Sequence, residues 1–194
     1  MKQDLITFDE KNKVFHLHND QISYLLSVED GGTLCHLYFG KKVNNYHNQL
    51  RYPRLDRGFS GNLPGSLDRT FSRDSLPKEY STAGEMDYHT PAAVVRQADG
   101  SNALFLTYKD YRIEDGKPDL KGLPHSWVKD KSEAQTLIVT LEDKKTELNF
   151  DLFYTIYRDR PVIVRSVKVK NAGKETVNLE KVASMQIDFV DRNF

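Results

Sequence analysis

The side chains that could do chemistry in this sequence are few and mostly ungrouped. His16-Leu17-His18 is the one tight histidine pair. Strand alternation would set both rings on one face, a geometry that a metal ion can use. Nothing nearby completes a ligand set, because His36 adjoins Cys35 and His47 lies far along the chain. Two ordinary half-buried histidines are therefore the simpler reading. Cys35, the single cysteine, sits in Leu34-Cys35-His36-Leu37-Tyr38-Phe39. A thiol in such a run packs as a small apolar group more often than it attacks a substrate. Cleaving a glycosidic bond takes two facing carboxylates, one of them kept protonated. None of the 28 Asp and Glu residues stands in such a setting, and no alternating β and α units exist to form a barrel around a pair. Gly31-Gly32 lacks the helix start of a phosphate cradle. Trp127, the sole tryptophan, follows Gly122-Leu123-Pro124-His125-Ser126. It reads as an apolar lid on the edge of the fold or as a sugar-stacking platform, the lid being the commoner use of tryptophan. No metal site and no cofactor are expected.

The elements that would position these groups are strands. Leu148, Phe150, Leu152, Tyr154 and Ile156 alternate with Asn149, Asp151 and Thr155, the pattern of a half-buried strand. From Val162 to Lys170, Ile163, Val167 and Val169 share a face with Arg165 among them. A third run places Val177, Leu179, Ala183, Met185 and Ile187 together. Shorter candidates cover residues 14–18, 22–28, 33–39, 103–111 and 136–141. Asp30-Gly31-Gly32, Asp99-Gly100 and Asn171-Ala172-Gly173-Lys174 are turn sequences with residues that tolerate positive φ. No stretch carries a capped 3.6-residue stripe, so very little helix is expected. Short strands at regular spacing predict an all-β antiparallel sandwich.

From Gly40 to Pro91 the periodicity disappears. This stretch holds four of the seven prolines and five of the eleven glycines. It also carries Arg51, Arg54, Arg57, Arg69 and Arg73 against Asp56, Asp68 and Asp74. Irregular segments this long inside a domain are usually functional loops or disorder. Tyr52, Phe59, Phe71, Tyr80 and Tyr88 favour a docked loop, because they supply large apolar groups to anchor it. The whole chain, 1–194, then reads as one β-sandwich domain or part of one, with a long functional loop over 40–93.

Composition narrows the partners. Lys and Arg number 28, equal to Asp and Glu, for a net charge of zero in 194 residues. Nucleic-acid binding needs a basic face, and none is expected here. No run approaches the roughly 20 apolar residues of a membrane span. One cysteine excludes an internal disulfide framework and fits a reducing compartment, so a cytoplasmic location is expected.

The end of the irregular stretch carries a specific string. It reads Asp68-Arg69-Thr70-Phe71-Ser72-Arg73-Asp74-Ser75-Leu76-Pro77-Lys78-Glu79-Tyr80, then Gly84, Asp87-Tyr88 and Pro91-Ala92. This resembles the N-terminal region of bacterial α-galactosidases of glycoside hydrolase family 36. The likeness continues in order along the chain. It includes Pro53-Arg54-Leu55-Asp56-Arg57 upstream and Gly122-Leu123-Pro124, Tyr154-Thr155-Ile156-Tyr157 and Arg165-Ser166 downstream. Two positions depart from the family pattern. Arg73 stands where an aliphatic residue is usual, and His89 replaces an arginine, a fixed cation.

The resemblance implies an N-terminal β-supersandwich followed by a catalytic barrel and a small C-terminal sandwich. It implies retaining hydrolysis of terminal α-linked galactose from sugars such as melibiose and raffinose. The catalytic aspartates would lie in the barrel, downstream, leaving no catalytic residue in this chain and a supersandwich that is incomplete. The domain would pack on the barrel, support a homo-oligomer and lend loop residues to the pocket for a galactose-containing oligosaccharide. By position those residues are Asp56 and Arg69. Arg54, Phe71, Asp74 and Tyr80 would support the loop. A carboxylate and a guanidinium suit sugar hydroxyls, accepting and donating respectively. An internal Arg–Asp pair that only holds the loop remains the competing role. Two other readings of the chain stay open: a free-standing carbohydrate-binding sandwich, and a truncated reading frame without independent activity.

Overall fold

The computed structural model describes residues 4–44, 62–84 and 87–187. Ten strands run through them: β1 (Ile6–Asp9), β2 (Val14–His18), β3 (Ile22–Glu29), β4 (Thr33–Lys41), β5 (Ala93–Arg96), β6 (Thr107–Asp115), β7 (Ala134–Asp143), β8 (Leu148–Tyr157), β9 (Ile163–Asn171) and β10 (Asn178–Val182). β1 to β4 form one antiparallel meander and β6 to β9 another, while β5 and β10 pair as a small ribbon. Three single-turn 3-10 segments are the only helical pieces among the described residues. The all-β antiparallel sandwich expected from the alternation is the observed fold.

Alternation builds the core directly. Phe15 and Leu17 of β2 and Tyr24 and Leu26 of β3 point inward to meet Leu137, Val139, Phe150, Leu152 and Tyr154 of β7 and β8. Burying such side chains stabilises the fold by about 1.5–3 kcal/mol each. Aromatic contacts bridge the layers. The Tyr111 ring lies 4.8 Å from Phe8 and 4.9 Å from Phe15, and Tyr24 lies 6.0 Å from Tyr154.

β2 and β8 occupy the bounds expected from the sequence, and β3, β4, β7 and β9 differ from them by one or two residues at either end. Three expectations need correction. The strand expected at 103–111 begins only at Thr107, because Leu104 and Phe105 are taken up in packing and in a bond to Asp143. The long alternating run at 177–187 yields only β10, which is exposed throughout and kinked by a register shift between Leu179 and Lys181. Gly173 has no positive φ among the described glycines; its value is space, since a Cβ there would stand 2.4 Å from the Thr146 carbonyl oxygen. No helix among the described residues is long and apolar enough to cross a membrane.

Candidate functional site: a loop strapped to the sandwich by a buried carboxylate

The segment that carries the specific string is fastened on both sides of β4. On the outer face of that strand, Phe71 and Leu76 bury themselves against Cys35, with Leu63 packed alongside. Residues 77–79 then run beside β4 as an added edge: the His36 amide donates to the Pro77 carbonyl at 2.6 Å and the Glu79 amide to the Leu34 carbonyl at 3.0 Å. This pairing carries the Glu79 side chain inward, because successive residues of an extended segment face opposite ways.

Glu79 ends fully buried between the two sheets. Oε1 accepts from Tyr24 Oη at 2.7 Å and from His36 Nδ1 at 2.9 Å. Oε2 accepts from Tyr154 Oη at 3.0 Å and from Arg165 Nη1 at 2.8 Å. The Arg165 guanidinium also lies 3.7 Å from the centroid of the Tyr154 ring. One carboxylate thus ties the loop to β3, β4, β8 and β9. A register shift in β4 makes room for it: Leu25 pairs with Tyr38 but Leu26 with His36, so His36 and Phe39 both flank the Tyr24 ring. Burial alone would push the Glu79 carboxyl up. The opposing charge of Arg165 and the bonds from His36 and Tyr24 outweigh it and hold the group below the usual glutamate range. The two phenols are driven well above theirs, first by burial and then by the neighbouring carboxylate. A carboxylate so paired and sealed from water keeps its charge and cannot act as a general acid.

A second buried pair closes the strap. Lys78 Nζ lies 2.9 Å from Asp87, and both side chains are almost fully buried. His89 Nδ1 approaches the same carboxylate at 2.5 Å. The histidine that departs from the family pattern therefore still meets Asp87, while Lys78 supplies the permanent charge. Arg73, the other departure, is buried and places its guanidinium 4.4 Å from the centroid of the Phe105 ring. Its long stem does the packing expected of an aliphatic residue.

The expected site residues divide accordingly. Asp56 and Arg54 lie outside the described residues. Arg69 is exposed. It sits between Asp68, whose carboxylate accepts from the Thr70 amide at 2.9 Å, and the buried anchor Phe71. Asp74 accepts from the Ser72 hydroxyl. Tyr80 donates to the Ala183 carbonyl at 3.0 Å and packs 5.9 Å from Phe150. Trp127, read as a lid or a platform, is 62% exposed and covers little. A cavity of 610 Å³, lined by Leu63, Pro64, Ala103, Phe105 and Asp143 among others, opens under the start of the described loop.

Sequence reasoning assigned no role to Glu79 or Arg165. An arginine on the inward face of β9, between Ile163 and Val167, was the available signal, because a buried cation needs a partner.

Residues 32–194 match the family model described as the glycosyl hydrolase family 36 N-terminal domain. The chain belongs to that family. The whole chain is 77% identical to a stretch of α-galactosidase Mel36A of Lactobacillus acidophilus and covers 26% of that protein. The crystal structure of the family 36 α-galactosidase AgaB of Geobacillus stearothermophilus superposes with a TM-score of 0.87 at 40% identity, over 95% of this chain and 25% of that one. A variant of AgaA from the same organism, solved in complex with raffinose, matches with a TM-score of 0.84 at 41% identity, over 92% of this chain and 25% of that one. The family 36 chain described here thus spans about a quarter of the length of the relatives it matches, as their N-terminal domain.

Proposed function

We propose that this domain serves an α-galactosidase as its non-catalytic N-terminal portion, packing on a catalytic barrel and supporting a homo-oligomer in the cytoplasm. Its loop over 40–93 lends Asp56 and Arg69 to a pocket for a galactose-containing oligosaccharide. The observation that carries this reading is the strap. Glu79 and Lys78 make two buried ion pairs that fix a loop segment in which Arg69 is an exposed residue, an arrangement that supports a presenting role for the loop. A relative solved with raffinose supports the sugar class. The 194-residue chain alone is expected to give no turnover of a chromogenic α-galactoside, and turnover by a clean preparation would contradict the assignment.

A second reading rests on Trp127 and Leu123, exposed by 62% and 63% in the same loop segment. Such a surface suits a free-standing carbohydrate-binding module. Titrating the chain with galactose, melibiose and raffinose while following Trp127 fluorescence separates the two. Saturable binding favours the module; no binding favours the supporting domain.

A further inference from the structure

We propose that His16 and His18 form an open binding site for a divalent copper- or nickel-type ion on the outer face of the first sheet. β2 sends Phe15 and Leu17 into the core, so His16 and His18 stand on its other face, in the middle of a sheet flanked by β1 and β3. Their ring centroids are 4.6 Å apart. With metal–nitrogen bonds of about 2.1 Å in line with each ring, an ion shared by both sees its two nitrogens at an angle of about 90°. That is the cis angle of octahedral nickel and of tetragonal copper, and it is tighter than a tetrahedral zinc site prefers.

The surroundings orient one ring and leave the other available. His16 Nε2 lies 2.9 Å from Ser23 Oγ, which also accepts from the Val43 amide at 3.0 Å and faces the Val43 carbonyl at 3.4 Å. With the hydroxyl donating to that carbonyl, His16 donates from Nε2 and keeps its lone pair on Nδ1. Such a hydrogen bond on the second nitrogen is what orients a ligating histidine. The His18 imidazole makes no hydrogen bond among the described residues. Lys42, the cation felt at both rings, is engaged by Asp20 at 3.1 Å, and Asp20 is the carboxylate felt at His18. Among the described residues no three His, Cys, Asp or Glu side chains converge on one point. The remaining coordination positions therefore belong to water, and the ion exchanges.

Calorimetric titration of the 194-residue chain with Ni²⁺ at pH 7.5, together with thermal melts, tests the site. The result expected is one saturable Ni²⁺ per chain, a raised Tm and weaker binding of Zn²⁺. His18→Gln, which breaks no hydrogen bond of the fold, should weaken Ni²⁺ binding more than tenfold, and His16→Gln likewise. His125→Gln should leave it within twofold. Broadening by Ni²⁺ should reach the imidazole protons of His16 and His18 and spare those of His36. No saturable binding, His18→Gln binding within twofold of the parent chain, or Zn²⁺ binding tighter than Ni²⁺ would overturn the proposal.

Discussion

At the scale of single residues, Glu79 and Arg165 decide most. Neither charge has a counterpart in bulk water, so removing one strands the other in a low-dielectric interior. Glu79→Gln should cost about 3–5 kcal/mol of unfolding free energy, the usual penalty for breaking a buried pair from one side. The double variant Glu79→Gln/Arg165→Met should lose less than the sum of the two singles, because the second change removes the stranded cation. Urea unfolding of the four chains measures both. The pH dependence has a defined sign. The folded state lowers the Glu79 and Asp87 carboxyls, so their stabilisation is complete above the ordinary carboxylate range and is lost progressively as pH falls from that range through the lowered folded-state values. Tm should fall steeply below about pH 4.5, and Glu79→Gln should flatten that acid limb. The pairing was illegible beforehand for a physical reason. Local periodicity shows that Arg165 faces inward, but nothing local says that its partner lies 86 residues away.

At the scale of elements, legibility followed strand length and the regularity of burial. β8 alternates between buried and half-buried positions from Leu148 to Tyr154, and β2 from Phe15 to His18, and their bounds were readable. β1 and β5, four residues each, were not singled out, since so short a run carries little periodic signal. The run at 177–187 alternates in sequence, yet the β5–β10 ribbon slips register within it and buries none of its residues fully. Alternation reports a potential face, and a partner must still cover it. The strap gives this scale its prediction. Leu76 is fully buried under the loop, so Leu76→Ala should destabilise the chain by about 2–5 kcal/mol. Hydrogen exchange locates the effect. In the parent chain the Glu79 amide, bonded to Leu34, should be protected close to the global limit. Loss of protection at Glu79 in Leu76→Ala, with β8 still protected, would show that the strap opens as its own unit.

At the scale of the whole molecule, two meanders make a core, and an irregular excursion is strapped across one of them. The sandwich class was readable from turns and alternation, and the family from the Arg69–Tyr80 string. The contact of Asp56 and Arg69 with a sugar is an expectation that only the resemblance carried, because a pocket shared with another domain would leave no trace in the periodicity of this one. The proposed roles of Asp56 and Arg69 are therefore tested in an enzyme of full length. A chimera in which this chain replaces the matching quarter of the Lactobacillus acidophilus α-galactosidase provides it, the exchanged stretches being 77% identical. Steady-state raffinose hydrolysis by that chimera is the decisive measurement. Arg69→Ala should raise KM by roughly tenfold or more, the loss of one charge-assisted hydrogen-bonding group, with the fold intact. Unchanged KM and kcat in both Arg69→Ala and Asp56→Ala would contradict a loop that reaches the sugar.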